Sequence, residues 1–439
     1  MNDKKGKLGL FMLTALVTGN MVGSGAFLLP ANLARVGSIG ILSLLVTTLG
    51  VLSIALVFAK ISLLIPKTGG PYIYAHAAFG EYVGFQTAYY YWIAVLIGNA
   101  AIVVATLGYL DVFIPILNDP LAKTMAILAI IWSLTIVNII GVRFAGFVQI
   151  VTTLLKFTPL VLVGVLGWWY FHPEYLAGHF NTTSNSDFAA FSAAIVLTLW
   201  LFIGVESASV PANAVHNPQR NIPLATVCGT GFAAIVYVLS NIAIFGMLPN
   251  EILANSTSPF ATATEIILGT WGKLFVAFGA LIACLGALNG WILIAAQIPI
   301  VGAQDNMFPK IFVKYSRFGT PMAGLIITST ILSFVVLAST YLSLIDQFEL
   351  LIVAASVASV IAYFYTAIAE IIVIPKRTLK GKNLFHISVA SVAAFYSFFV
   401  ISSASKEVIF SLALFILLTI PLYAIFRWRK SNLNNITLS

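Results

Sequence analysis

Apolar runs long enough to cross a hydrocarbon core recur from one end of this 439-residue chain to the other. About 20 apolar residues in helical form span a bilayer. Lipid offers backbone groups no water, so each run must satisfy its own N–H and C=O groups, and a helix does this within one segment. Charged residues make up only 8% of the chain, against about 25% in soluble domains. The expectation is an all-α membrane protein with about twelve transmembrane helices and no soluble domain. The spans fall near 9–34, 38–63, 84–112, 122–141, 147–170, 188–214, 223–247, 270–300, 321–341, 348–374, 384–403 and 405–427. The opening MNDKKGKLGL runs into the first span without a small-residue cleavage site, so no cleaved leader is expected.

The net charge of +8 does not point to nucleic acid, because the cations are sorted by loop. With the amino terminus in the cytoplasm, every Lys and Arg except Arg35, Lys123, Lys156, Lys273 and Lys406 falls on the cytoplasmic side. That bias places both termini inside, in a multi-pass protein of the plasma (inner) membrane. Cys228 and Cys284 lie in apolar spans, which argues against a structural disulfide. The five histidines are scattered without ligand spacing, so neither a metal nor a cofactor is expected. The connection at about 301–320 sets Met307, Phe308, Ile311 and Phe312 against Lys310 and Lys314. It reads either as a segment lying along the membrane surface or as an ordinary basic loop.

Glu206 is the one carboxylate placed near the middle of a span, in TLWLFIGVESASVPAN. A charge at that depth costs roughly 2.5–3.5 kcal/mol on insertion scales, and such residues usually line a cavity. A second reading makes it a core carboxyl that holds an interruption in span six. That interruption has a counterpart in span one. A shift of 181 residues puts Gly23 on Gly204, Gly25 on Glu206, and Pro30-Ala31-Asn32 on Pro211-Ala212-Asn213. Paired glycine-interrupted spans at corresponding places in two halves point to a transporter binding site. The alternative is ordinary close packing of helices at glycine.

Gly23-Ser24-Gly25 lets the chain leave helical geometry at little steric cost. The freed backbone groups need partners, and non-helical backbone persists at membrane depth only inside protein or beside water. A small zwitterion can be that partner. Half-helix N-termini attract a carboxylate, and half-helix C-termini with free carbonyls attract an ammonium. Ser24 adds a hydroxyl on the carboxylate side. Trp200 lies one turn before the span-six break, and Trp291 lies mid-span beside Asn289 and Gly290. Either ring offers a face to a cation, although most aromatic residues in such a chain pack in the core or sit in interfacial belts. Asn99 is an amide in an apolar span, suited to substrate contact or to an interhelical bond.

At these positions TGNMVGSGAFLLPAN, PKTGGPYIYA, YYYWIAVLIGNAA, LWLFIGVESASVPANAVHNPQRNIPLAT and GTPMAGL become recognisable. They resemble the amino acid–polyamine–organocation superfamily. Within it they look like the basic amino acid/polyamine antiporters, the arginine–agmatine type above all, with the putrescine–ornithine and cadaverine–lysine types close behind. The resemblance implies a leucine-transporter-type 5+5 inverted repeat, with broken helices one and six. The first repeat would occupy 1–170, the second 171–374, and two extra helices with a tail 375–439. It also implies a homodimer formed through those helices.

By the same resemblance, Asn20, Met21, Gly23, Ser24 and Gly25 would cradle the amino acid backbone. Trp200 would stack on the substrate, and Ile203 would close the pocket floor. Asn99, with the carbonyls of Ala94 and Val95, would meet the distal group. Tyr91, Glu206, Trp291 and Tyr363 match gating layers, and Glu206 also matches a proton-sensitive carboxylate. The chain departs from the arginine–agmatine pattern at Ala355, where that pattern has serine, and at Ile102, where it has methionine. Both changes make the distal pocket less polar. Lys156 is an addition in span five, similar to proton-coupled members of the superfamily. Burial disfavours the charge of a lysine, which suits a reversible proton carrier. A structural lysine bonded to span-one carbonyls is the other reading.

The expected function is exchange of arginine, lysine or ornithine for a decarboxylated amine or another amino acid by alternating access, coupled to protons. A proton symporter of broader specificity using Lys156 is the second reading, and a non-transporting amino acid sensor a distant third. An enzyme is not expected, since the chain has no paired Asp, HExxH, Ser-His arrangement or cofactor fingerprint.

Overall fold

The computed structural model describes residues 8–67, 69–140, 145–210, 212, 215–304, 307–374 and 382–436. Among them nine helices are long and apolar enough to span a membrane, and three shorter apolar helices cover Leu155–Tyr170, Asp187–Phe202 and Met322–Ala338. Together these coincide with the twelve expected spans, and the chain is an integral multi-pass membrane protein. The elements run α1 (Leu10–Met21), α2 (Ser24–Val36), α3 (Ile39–Leu64), α4 (Pro71–Phe79), α5 (Glu81–Leu110), α6 (Pro120–Ile140), α7 (Ala145–Leu166) and α8 (Pro173–Ala177). They continue with α9 (Asp187–Leu199), α10 (Pro218–Met247), α11 (Asn250–Ala254), α12 (Pro259–Gln304), α13 (Met322–Ala338), α14 (Leu344–Val373), α15 (Lys382–Ser402) and α16 (Lys406–Ile436).

Span one is broken as the Gly-Ser-Gly sequence predicts. α1 ends at Met21, Val22 turns extended at ψ 91, and Gly23 at φ −135, ψ −143 starts α2 in a new direction. Span six breaks after α9 through a short 3₁₀ turn, Trp200–Phe202, and Gly204 takes φ +114. Only glycine holds that conformation without strain. From Gly204 to Val210 the chain runs in turns, bonded at a spacing of three by Ser207 N–H to the Gly204 carbonyl and Ser209 N–H to the Glu206 carbonyl. The second half of span six is therefore not a regular helix up to Val210. Pro211 and Asn213, half of the expected repeat match, lie outside the described residues.

Three features differ from the sequence expectation. Residues 71–79 form α4, a helix between spans two and three that begins with Pro71 at its first turn, where proline is tolerated because the N–H has no partner. α12 begins at Pro259, well before residue 270, and turns at Gly269 with φ +63. The connection after α12 does not lie on the surface as an amphipathic helix. It forms only a 3₁₀ turn at Lys310–Val313 and buries Met307, Phe308 and Phe312. Phe308 stacks on Tyr89 with ring centroids 4.1 Å apart, and Trp92 meets Phe308 and Phe312 edge-on. Aromatic pairs of this kind gain about 0.5–1.5 kcal/mol beyond the area they bury.

The core gathers where α2, α5, α9, α12 and α14 meet the two breaks. α16 stays at the rim, with Phe410, Leu417, Leu418 and Trp428 exposed to the surroundings, as a lipid-facing helix requires. α15 packs on α3 through a glycine, since a Cβ at Gly50 would lie 2.4 Å from the Tyr396 ring. Gly50→Ala is expected to lower stability by about 1–3 kcal/mol through overpacking. A thermal unfolding curve in detergent should show a lower midpoint while substrate affinity stays unchanged.

Candidate functional site

The two breaks touch. A Cβ at Gly204 would lie 3.2–3.3 Å from the backbone and Cβ of Asn20 and the N of Met21. The Asn20 amide donates to the Ser207 hydroxyl at 3.0 Å, tying span one to span six across the interruption. Beside this junction lies a small cavity. Its walls are Asn20, Met21, Gly23, Ser24, Gly25, Ala94, Val95, Gly98, Asn99, Ile102, Trp200, Ile203, Trp291 and Ser359.

The cavity thus brings together the substrate-side residues expected from the sequence, with one exception. Ala355 is buried but does not line it. Its methyl lies toward Gly98, 4.0 Å from where a Cβ there would stand, and α14 reaches the cavity one turn later through Ser359. Gly98 and Ser359 were not among the expected site residues. Gly98 is there because it has no side chain: a Cβ would meet Trp200 Cη2 at 2.9 Å. At the other edge of the same indole, a Cβ on Gly25 would meet Trp200 Cδ1 at 2.5 Å. Trp200 is held flat between two glycines of different helices, with its ring against the cavity.

The last carbonyls of α1 are orphans by helix geometry, and each is claimed within the protein. Val22 N–H donates to Thr18 O at 2.9 Å, Gly23 N–H to Met21 O at 3.0 Å, Lys156 Nζ to Gly19 O at 3.1 Å and Trp291 Nε1 to Asn20 O at 3.4 Å. The expectation that these carbonyls stand free for an ammonium therefore needs correction: each retains a second lone pair but already has one partner. Lys156 is 1% exposed and makes the span-one contact of its structural reading. The opposite holds at the start of α2. Among the described residues, the N–H groups of Ser24, Gly25 and Ala26 donate to no backbone acceptor. The Ser24 hydroxyl is buried and unpartnered, at the positive end of a helix.

Asn99 is 1% exposed, and neither its amide nitrogen nor its oxygen has a partner. Buried polar atoms are nearly always hydrogen-bonded, and leaving one unpaired costs about 1–3 kcal/mol. Two such groups, Ser24 and Asn99, lie on two helices around one cavity, where a polar ligand or water could complete the bonding. Nothing in the sequence separates Asn99 from Asn138, which also sits in an apolar span. Asn138 donates to Asn289 Oδ1 at 2.9 Å and is satisfied.

Glu206 has no exposed surface and three donors. The Tyr91 hydroxyl donates to Oε1 at 2.8 Å, the Tyr363 hydroxyl to Oε2 at 2.6 Å, and Gly204 N–H to Oε2 at 3.2 Å. The side chain so joins α5, the span-six break and α14, and it satisfies an N–H that the unwinding released. The Gly25 contact gives a direct test. Gly25→Ala should displace the Trp200 indole and weaken substrate binding about tenfold or more, since a shift of order 1 Å at a positioned group is felt strongly. Equilibrium binding to the purified protein should register the loss while its thermal midpoint falls by only a few degrees.

The amino acid permease family model matches residues 8–434. The cadaverine/lysine antiporter of Escherichia coli strain K12 is 36% identical over 367 residues, covering 82% of each chain. The putrescine transporter PotE of the same strain is 34% identical over 410 residues, 92% of each chain. Its Haemophilus influenzae counterpart is 32% identical over 409 residues, 93% of this chain and 94% of that one. With a family match across nearly the whole chain, and two interrupted spans enclosing a cavity in a helical membrane bundle, this chain belongs to the amino acid permease family and is a transporter rather than an enzyme.

Proposed function

We propose that this transporter exchanges a basic amino acid, arginine, lysine or ornithine, for its decarboxylated amine or another amino acid by alternating access. The observation that carries the reading is the pair of buried, unpartnered polar groups, Ser24 and Asn99, on one cavity beside two broken spans. The substrate carboxylate meets the open N–H groups of α2 and the Ser24 hydroxyl. The α-ammonium faces the negative end of α1. Trp200 lies along the aliphatic stem or the distal cation, an attraction of about 0.5–2 kcal/mol. Asn99 and the carbonyls of Ala94 and Val95 take the distal group. Ile102 gives that end an apolar wall, which fits a compact ammonium better than a guanidinium with its five donors. Relatives that carry cadaverine, lysine or putrescine by name support the same class.

Glu206 couples the cycle to protons. Its carboxyl gains or loses a proton as Tyr91 and Tyr363 open or close over the site, and Trp291 closes the other side. The protein works as a homodimer in the plasma (inner) membrane with both termini cytoplasmic. Residues 1–170 and 171–374 act as the two repeats, and 375–439 as appended helices and tail. Proteoliposomes preloaded with unlabelled substrate should take up labelled lysine, arginine or ornithine much faster than empty ones. Equal uptake would count against exchange. Glu206→Gln should preserve binding and flatten the pH dependence of exchange.

A diamine has no carboxylate, so the two exchange partners should separate at Ser24. Ser24→Ala is expected to weaken amino acid binding by about 1–2 kcal/mol and leave diamine binding nearly unchanged. Competition binding with lysine and cadaverine reads the difference, and equal losses would remove the assignment of Ser24 to the carboxylate. One observation favours a second reading. Lys156 Nζ bonds Gly19 O at the edge of the span-one break, so its protonation bears directly on the site. If Lys156 is the coupled proton carrier, an inward proton gradient drives accumulation in empty vesicles, and Lys156→Ala abolishes it.

A further inference from the structure

α14 carries a buried polar stripe that extends beyond the site. Ser356, Ser359, Tyr363, Thr366 and Glu370 recur at spacings of three and four, and each is at most 2% exposed. Such spacing puts them on one helix face. Ser359 lines the cavity, and Tyr363 holds Glu206. Glu370 sits seven residues past Tyr363, about 10 Å along the axis, at the end of α14 that the proposed orientation makes cytoplasmic.

Glu370 differs from Glu206 in one decisive respect. Glu206 has three hydrogen-bond donors, whereas both carboxyl oxygens of Glu370 are buried with none. The nearest basic group is the His386 imidazole on α15, with Nδ1 3.9 Å from Oε1 and the side chain 26% exposed. Lys60 on α3 interacts with Glu370 electrostatically. The charged or titratable residues of α4 and the start of α5 flank another face. Tyr365, five residues before Glu370 and so about 140° around the helix, packs on Phe79 of α4 at 5.6 Å. That is the side of His76, Glu81 and Tyr82. The groups facing Glu370 among the described residues are then His386 and Lys60. A carboxyl that merely braced the core would be bonded to it; an unbonded one beside a partly exposed imidazole is arranged to take up and release a proton. Chains of acidic and histidine side chains are how membrane proteins move protons through protein.

We propose that Glu370 is a proton relay between the cytoplasm and Glu206, with His386 as its outer partner and Thr366 and Tyr363 as its inner ones. This rests on Glu206 being the exchange-linked proton site. A proton taken by the His386 imidazole passes to the Glu370 carboxylate. It moves on through bridging water past the Thr366 hydroxyl, which donates to the Ala362 carbonyl at 2.8 Å and keeps its lone pairs for that water, to the Tyr363 oxygen, as Tyr363 hands its own hydroxyl proton to Glu206 Oε2. One proton enters, one arrives, and Tyr363 and His386 return to their starting states. Release runs in reverse.

The site is tested first without transport. In lipid nanodiscs, the Glu206→Gln protein should retain an infrared carboxylic-acid C=O band that titrates with bulk pH and disappears on adding Glu370→Gln. No Glu370-dependent band overturns the site, and this readout holds even if the chain fails to exchange substrates. The relay is tested in vesicles across a pH series. Glu370→Gln should slow exchange by about tenfold or more at the alkaline end, where protons are scarce, the scale of a lost proton-transfer group. Azide, a small permeant acid, should restore the rate. His386→Gln, at a partly exposed position, should slow the same alkaline limb. Rates equal to the parent at every pH overturn the relay, as does slowing that is independent of pH or that azide does not lift.

Discussion

One buried carboxyl holds the centre of this molecule together. Glu206 accepts hydrogen bonds from Tyr91 on α5, from Tyr363 on α14 and from Gly204 N–H at the break. Span six can leave helical geometry at mid-bilayer because this side chain repairs part of what the unwinding exposes. The same bonds fix the distance between the break and two flanking helices. The structural reading of Glu206 rests on these three bonds, and the proposed proton role would act through them.

The breaks are asymmetric in what they leave open. At the C-terminal end of α1, protein groups already occupy the orphan carbonyls, Lys156 and Trp291 among them. At the N-terminal end of α2, donors stand open beside an unpartnered hydroxyl. The site is thus better prepared for an anion than for a cation at the backbone end of a substrate. The cavity wall also presents Asn99 and the Trp200 ring. Two glycines, Gly25 and Gly98, set how closely that ring approaches. The space beside that ring is then set as much by residues without side chains as by those with them.

The family match, the relatives and the cavity agree on a transporter, and they bear on different questions. Similarity to antiporters establishes the kind of protein. The cavity walls bear on what passes through it. Ile102 stands in that wall and Ala355 does not, so the two departures from the arginine–agmatine pattern carry different weight. Ser359 brings a hydroxyl to the place where the sequence comparison drew attention to an alanine.

Much of this was legible in the chain itself. Apolar runs set the spans, because a helix is the one local way to satisfy backbone groups in lipid. Gly23-Ser24-Gly25 and Gly204 marked the interruptions, and at Gly204 the φ of +114 is one that glycine adopts without strain. Glu206 announced itself by the cost of a charge at that depth. Tertiary structure decided which polar groups find partners. Asn99 and Asn138 look alike in sequence, yet one is empty-handed at the cavity and the other is paired with Asn289. Glu206 and Glu370 are both acids in apolar helices, yet only Glu206 is bonded. The connection after α12 reads either as a membrane-surface segment or as an ordinary basic loop, and the structure buries its Met307, Phe308 and Phe312. Spans follow from local hydropathy and backbone geometry, which a sequence carries residue by residue. Hydrogen-bond satisfaction depends on what a distant helix brings within about 3 Å, and that is settled only when the helices pack.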